Sequence, residues 1–591
     1  MKKTICLILA LILLTASLSA CGGDEVGEPL FAQRGDAARE PLGELRPAED
    51  AEAILEALSA AGQTHGGDLD DDDPEGPGTG ILLERSVIPA GDPVVTDGSY
   101  IYMSDRYGLI ILSAAGDRSE ILSYTRVERE GTAWAERLFL DRDRVAVVYT
   151  AEDASREDAL WNDEAAVHVV LLDVSNKRAP KKLTETVVEG SWVDARMIGG
   201  KLCLVTQRSY LSLPEQKEAE RLLPRLWEDG KELALRADEL YLSPAPEKAA
   251  VTLAAAIRLT DGRVADALAF TGGVEAVCGE GDCIYLSRTL WDETASEPYR
   301  EEPYTVVDYG STARTEIKRL RLSGGLRLDG GCVVDGALRD AAAMELQNGS
   351  LRLVLKTDSR RFSAYTDEKH GWTNYETHSH ERDSRLVLLD GELQSVAALT
   401  GVGGKSGVSA SVFAGGAAWF SAAGRVLYTA DLSDPAEPRM NGSLPTEGER
   451  TLLRSFGEEL ALAVEAPAPG TPWQLVMYDL SDPANPRASD RLTLKDWSPA
   501  SDLSDAGALF TDPGNCLIGF PAVGKGRTEY LLVRWTGSEL KQKGALALEY
   551  VPADARALLL DGLLYVCSPG AVYVADPETM SVLATVSNAV G

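Results

Sequence analysis

The chain has 591 residues, 44% apolar and 25% charged, the balance of a folded globular protein long enough for several domains or one large repeat. Its 58 basic and 92 acidic side chains leave a formal charge of −34, which argues against nucleic acid and against electrostatic docking on an anionic lipid surface. Five histidines are little material for imidazole chemistry.

The N-terminus comes first. Lys2 and Lys3 precede an apolar run, Ile5 to Leu14, that is short for a bilayer span. Leu18-Ser19-Ala20-Cys21-Gly22-Gly23 follows and resembles a bacterial lipobox. The resemblance implies a signal peptide over 1–20 and acylation of Cys21, an anchor that needs no transmembrane helix. The plainer reading is a secretory signal cut near Ala20. Loss of Lys2 and Lys3 would take the charge from −34 to −36. Six cysteines then remain: Cys203, Cys278, Cys283, Cys332, Cys516 and Cys567. Most read as small buried apolar residues on strands. Cys278 and Cys283 flank a turn-like Gly279-Glu280-Gly281-Asp282, so a disulfide across a hairpin is a possible pairing.

Residues 21–80 read as an acidic flexible tether with one short helix over Glu49 to Ala61. Asp68 to Asp73 is an acid run before Pro74-Glu75-Gly76-Pro77-Gly78, a composition that stays extended. Its aspartates have the first spacings of an EF-hand loop. However, Asp73 stands at the glycine position and Thr79 at the bidentate glutamate position, so it reads as a solvated linker.

From residue 81 to 591 short β runs alternate with Gly, Asp, Asn and Pro turns. Val94-Val95-Thr96 and Tyr100-Ile101-Tyr102-Met103 flank Asp97-Gly98-Ser99. The run Asp-Leu-Ser-Asp-Pro recurs at Asp431–Pro435 and Asp479–Pro483, with a relative at Asp173-Val174-Ser175-Asn176. Asp and Ser can close such turns through backbone hydrogen bonds, and Pro takes the chain off the ladder. Candidate units start near 94, 136, 192, 274, 338, 410, 452, 506 and 556. Recurring four-stranded units predict an all-β chain, a single large β-propeller of about eight blades, between seven and nine. Two insertions break the rhythm, about 209–249 and about 360–385. The first has helical composition over Glu215 to Ala237.

These residues support a family resemblance. Val95 to Tyr102, Gly190-Ser191-Trp192-Val193-Asp194-Ala195-Arg196-Met197-Ile198, the Pro224–Ile257 region, Thr315-Glu316-Ile317 and the repeated Asp-Leu-Ser-Asp-Pro are similar to a family of bacterial secreted proteins. That family carries a C-terminal β-propeller domain distantly like WD repeats, and the resemblance covers roughly 92–588. It implies a fold and an exported location, and no established activity. The chain lacks the family's acidic segment before Asp97 and its Asp-His-Lys near Leu503–Ala508.

Site chemistry is sparse. Gly401-Val402-Gly403-Gly404-Lys405-Ser406-Gly407 is no phosphate loop, because Leu399 stands where the first glycine is needed. It reads as a connector. His370, His378 and His380 are candidate metal ligands, with a solvated polar tip as the alternative. No nucleophile elbow appears. Trp161, Trp291 and Trp372 lie in polar stretches and are candidate surface platforms for a sugar or peptide, whereas Trp419 and Trp535 read as core.

The expectation is a lipid-anchored extracytoplasmic propeller at the bacterial envelope. It would act as a non-catalytic scaffold without cofactor, anchored to the membrane through Cys21, with an envelope protein or polysaccharide as partner and no nucleic acid. The alternative is a propeller hydrolase or lyase acting on cell-wall or extracellular polymer.

Overall fold

The computed structural model describes residues 33–35, 39–43, 45–61, 91–105, 108–127, 133–152, 165–210, 212–244, 248–338, 343–404, 407–422, 426–446, 449–466, 472–500, 506–524, 526–547, 555–568 and 570–587. Residues 1–20, expected as a signal peptide, Cys21 and the acid run 68–73 lie outside them.

The turns have the chemistry their residues allow. The Asp431 carboxylate accepts from Ser433 N at 2.9 Å, Asp434 from Ala436 N at 3.0 Å, and Asp479 from Ser481 N at 3.0 Å. Asp173 does the same for Ser175 N at 2.9 Å. Asp561 and Gly562 take positive φ, 49° and 77°, in a two-residue hairpin turn.

The strands between these turns form antiparallel four-stranded blades. Blade 1 is 94–126, blade 2 is 133–189, blade 3 is 191–271, blade 6 is 408–445, blade 7 is 449–493, blade 8 is 498–546 and blade 9 is 556–587. One large sheet holds two more, blade 4 over 276–335 and blade 5 over 344–400. Among the described residues the total is nine, the upper end of the expected range, and seven of the starts fall within about three residues of the candidate units, whereas blade 5 starts at 344 rather than 338 and blade 8 at 498 rather than 506.

Each blade is apolar on both faces, and each neighbouring pair shares one buried cluster. Tyr102, Leu109 and Ile111 of blade 1 meet Leu138, Val145 and Val147 of blade 2. Further clusters join 2 to 3, 3 to 4, 4 to 5, 5 to 6, 6 to 7, 7 to 8 and 8 to 9. The last closes the ring: Ile101, Met103, Ile110 and Leu112 of blade 1 pack on Tyr565, Cys567, Val572 and Val574 of blade 9. Gly116 N donates to Tyr565 Oη at 3.0 Å and Arg556 Nε to Asp92 Oδ2 at 2.9 Å across this seam.

Two expectations are corrected. Residues 33–61 are not free tether. Gln33–Gly35 adds an edge strand to blade 5, opposite Thr400–Ala398, and Arg39–Pro41 adds one to blade 4. Arg46–Pro47 pairs with Tyr241–Leu242 at the edge of blade 3. The helix Ala51–Ser59, capped by Asp50 Oδ1 at 2.9 Å from Ala53 N, buries Ile54 and Leu58 in the core between blades 2 and 3. Bare sheet edges supply unpaired amides and carbonyls, and this strap satisfies them.

The first insertion is not an α-helix. Gln216–Leu222 is a 3₁₀ turn, and Arg225–Glu228 and Lys231–Ala234 form a hairpin on the outer edge of blade 2. Pro224 ends the helical run, and Asp229-Gly230, both at positive φ, turn the hairpin. The second insertion is the outer part of a hairpin, Ser350–Asp367 against Trp372–Leu389, turned at 368–371.

Candidate functional site

Blades 4 and 5 have strands much longer than a blade needs. In blade 4, Cys283–Ala295 pairs with Tyr304–Arg321. In blade 5, Ser350–Asp367 pairs with Trp372–Leu389. The overhanging halves are two arms, and Thr305–Thr312 pairs with Thr366–Ser359 to weld them into one sheet. A short strand, Tyr299–Glu301, extends it. From Ser384 to Trp372 the blade 5 arm runs about 40 Å beyond its blade, at ~3.3 Å per residue.

Strand alternation sorts the arm residues. Partners directly opposite share a face, so Tyr299, Glu301, Tyr304, Val306, Asp308, Ser363, Tyr365, Asp367, Trp372 and Glu376 fall on one side. Trp291, Tyr309, Phe362 and Tyr375 fall on the other. The ring contacts obey this division. Tyr304 meets Tyr365 edge-on at 6.0 Å and Trp372 at 5.5 Å. On the opposite side Tyr309 stacks on Phe362 at 5.0 Å, and the Arg360 guanidinium lies 5.6 Å over Trp291.

The first side is both aromatic and acidic. Seven large apolar side chains are exposed among the described residues, and three belong to the arms: Tyr299 at 42%, Trp372 at 43% and Tyr375 at 44%. Tyr299 Oη donates to Asp308 Oδ1 at 3.3 Å. Partial desolvation, then the facing Asp308, raises the Tyr299 hydroxyl above its ordinary range. Desolvation, then Glu376 and Glu301, does the same for Tyr365. On the paired strands from Asp308 outward no Lys or Arg occupies this side, and at the tip turn His370 pairs with Asp367. Rings of this kind attract cations through their faces.

His370 and His378 are not brought together, and the side chain of His380 lies outside the described residues. His370 sits in the tip turn, its Nδ1 2.7 Å from Asp367 Oδ2, which holds that carboxyl below its usual range. His378 is the extra residue of a β-bulge where the register shifts between Arg361 and Phe362, and its ring meets Ser363 Oγ, which also donates to Asp308. Six residues of strand separate Trp372 from His378, roughly 20 Å. His380 lies opposite Arg360 in the register. No group of three His, Cys, Asp or Glu able to hold a metal occurs among the described residues.

Cys278 and Cys283 are free thiols. The hairpin turn pairs Glu280 with Cys283 and Cys278 with Tyr285, so the two cysteines are diagonal rather than opposite. Burial pushes the Cys278 thiol up to about 12 and the Cys283 thiol up to about 11. Cys203 and Cys567 are likewise buried, with thiols raised to about 12. Trp419 and Trp535 are core, as expected, and Trp372 is surface. Trp161 lies outside the described residues. Gly401–Gly404 leads from blade 5 toward blade 6 as a connector.

Sequence reasoning missed Tyr299, Tyr304 and Tyr365. Their signal was a period of two running through Tyr304, Val306 and Asp308. It also missed a buried charge cluster at the base of the arms. There Glu316 pairs with Arg288 and with Lys318 Nζ at 2.6 Å, and Ser243 Oγ of blade 3 donates to Glu316 at 3.2 Å. Burial alone would raise the Glu316 carboxyl, but the Lys318 and Arg288 charges win and hold it at about 2. Burial lowers Lys318 to about 8.

A family model described as "Beta propeller domain" matches residues 87–580. An uncharacterized protein of Archaeoglobus fulgidus is 23% identical over 449 residues, 68% of this chain and 69% of that protein. An uncharacterized protein of Methanocaldococcus jannaschii is 26% identical over 207 residues, and the match spans 34% of this chain and 29% of that one. Among solved structures, apo AztD from Citrobacter koseri is similar at 10% identity and a TM-score of 0.32, covering 83% of this chain and 94% of that one.

Proposed function

We propose, for a chain that belongs to the beta propeller domain family, the role of a lipid-anchored, non-catalytic binding scaffold on the extracytoplasmic face of a bacterial membrane. The observation that carries the binding role is the welded pair of arms, which gathers exposed rings on a sheet extended well beyond the ring of blades. A sheet built only to close a propeller has no use for strands of eighteen residues such as Ser350–Asp367.

The strap supports the anchored geometry. Gln33 pairs with Thr400, which pairs with Arg385 at the root of the blade 5 arm, whereas Gly35 pairs with Ala398, farther from it. The strap strand thus begins, at Gln33, on the side of blade 5 from which the arm extends. Twelve residues separate Cys21 from Gln33, a reach of at most about 40 Å. An anchor on Cys21 would hold the arms toward the membrane that carries it.

Metabolic labelling with a palmitate analogue should tag the wild type and spare Cys21→Ala, which should leave the membrane fraction. A labelled, membrane-bound Cys21→Ala would sink the anchor. Affinity capture from solubilised membranes should recover a stable partner with the wild type and lose it when Trp372 and Tyr299 are both changed to Ala. A partner retained by that variant would move the binding role off the arms.

A further inference from the structure

We infer that the acidic aromatic side of the arms docks a basic protein segment, one presenting Lys or Arg side chains along an extended or helical stretch. The inference deepens the scaffold reading and rests on it. Two independent features of the same surface point to this ligand chemistry.

The first is the rings. Tyr299, Tyr304, Tyr365 and Trp372 lie on one side of a rigid sheet, with Tyr299 and Trp372 exposed. Tyr304 is packed edge-on against both Tyr365 and Trp372. Their packing fixes their orientation before any ligand arrives, so little side-chain entropy is lost on binding. Trp and Tyr faces bind ammonium and guanidinium groups, and their flanks take the aliphatic stems of the same side chains.

The second is the charge. Glu301, Asp308 and Glu376 share that side, and no Lys or Arg of the paired strands from Asp308 outward lies on it. Tyr299 Oη donates to Asp308 Oδ1 at 3.3 Å, so a carboxylate and a ring of this side already stand in contact. A neutral sugar would find the rings but gain nothing from the carboxylates. An anionic headgroup or polymer would be repelled by them. A basic segment uses both, and Arg can also form a bidentate pair with a carboxylate.

The test uses the full-length protein in detergent. Calorimetry would follow a short Lys-Ala repeat peptide and its Glu-Ala counterpart. The basic peptide should bind and the acidic one should not. Trp372→Ala with Tyr299→Ala, and separately Glu301→Gln with Glu376→Gln, should each weaken the basic peptide by about tenfold or more. Glu458→Gln with Glu459→Gln, which removes two exposed carboxylates from blade 7, should change it by less than about twofold. Equal losses in the arm and blade 7 variants would mean that the peptide senses only the net charge of the whole chain, and would overturn the inference. So would binding of the acidic peptide, no binding of the basic one, or arm variants that bind like the wild type. Thermal melts of the arm variants should match the wild type, since all four side chains are solvent-facing. If melting drops, Trp372→Tyr should restore both the melt and the peptide. Peptide failure beside a partner still captured from membranes would refute this ligand and leave the scaffold reading standing.

Discussion

The ring has two unlike joints. At the seam, blade 9 meets blade 1 face to face: apolar residues interdigitate, Gly116 N donates to Tyr565 Oη, and the ion pair of Arg556 with Asp92 pins the edge. Each of these two blades is built from its own end of the domain, and no strand is exchanged among the described residues. At the weld, blades 4 and 5 share an apolar cluster but also a run of backbone pairs, Thr305–Thr312 against Thr366–Ser359. Closure by side chains alone suffices where the faces fit. The added backbone pairing at the weld stiffens something outside the ring, the arms.

The seam offers the largest test. Removing residues 555–591 strips one wall from the ring and uncovers apolar faces on blades 8 and 1 together. The gross burial lost is on the order of tens of kcal/mol against a net stability of roughly 5–15 kcal/mol. The product should aggregate, as read by size exclusion, and show no cooperative melt. A monodisperse, cooperatively melting product would mean that the seam is dispensable and the weld alone organises the fold.

The base of the weld comes next. Glu316→Gln leaves Arg288 and Lys318 buried without their counter-charge and should cost about 3–5 kcal/mol. Its pH signature has a definite sign. The Glu316 carboxyl is held at about 2, below its ordinary value of 4.5, so its contribution is complete above about pH 4.5 and is lost as the pH falls toward 2. Lys318, lowered to about 8 from 10.5, has the opposite effect on its own: its charge costs stability below pH 8, and the cost is relieved as the pH rises to 10.5. Melts from pH 2 to 5 should slope upward in the wild type and flatten in Glu316→Gln. Parallel slopes would remove the cluster from the account.

The strap gives a middle-sized effect. Ile54 is fully buried between blades 2 and 3, so Ile54→Ala should cost about 2–4 kcal/mol in denaturant melts. A tether without docking would give no change. Smallest is the seam pin. Arg556→Ala should cost about 1–2 kcal/mol, because Asp92 is one-third exposed and water can replace its partner. A loss as large as that of Glu316→Gln would show that the seam is electrostatic rather than apolar.

The blades were legible because each carries its own punctuation. Asp431, Asp479 and Asp173 each close a turn through a side chain within two residues, so local sequence suffices. The strap was not, because Gln33–Gly35 and Arg39–Pro41 dock through backbone groups onto edges some three hundred residues away, and backbone pairing leaves no side-chain period in three residues. Glu215–Ala237 misled through composition. Its helix formers were real, but Pro224 and the Asp229-Gly230 turn outweighed them once the edge of blade 2 was there to receive a hairpin. The arms were half legible. Trp372 was seen as a surface residue, but its ring partner Tyr304 comes from blade 4, and only the register between Thr305–Thr312 and Thr366–Ser359 joins them.

The strap also has a mechanical consequence. A force pulling on the N-terminal end does not reach blade 1, where the propeller begins. It arrives first at three residues on blade 5, then three on blade 4, then two on blade 3, and then at a nine-residue helix. These short attachments would let go one after another, each release lengthening the chain and dropping the tension, before the seam between blades 9 and 1 felt any of it. The strap is thus a stepwise extension spring in series with the ring, and pulling on the N-terminus should show small early yields ahead of one large rupture.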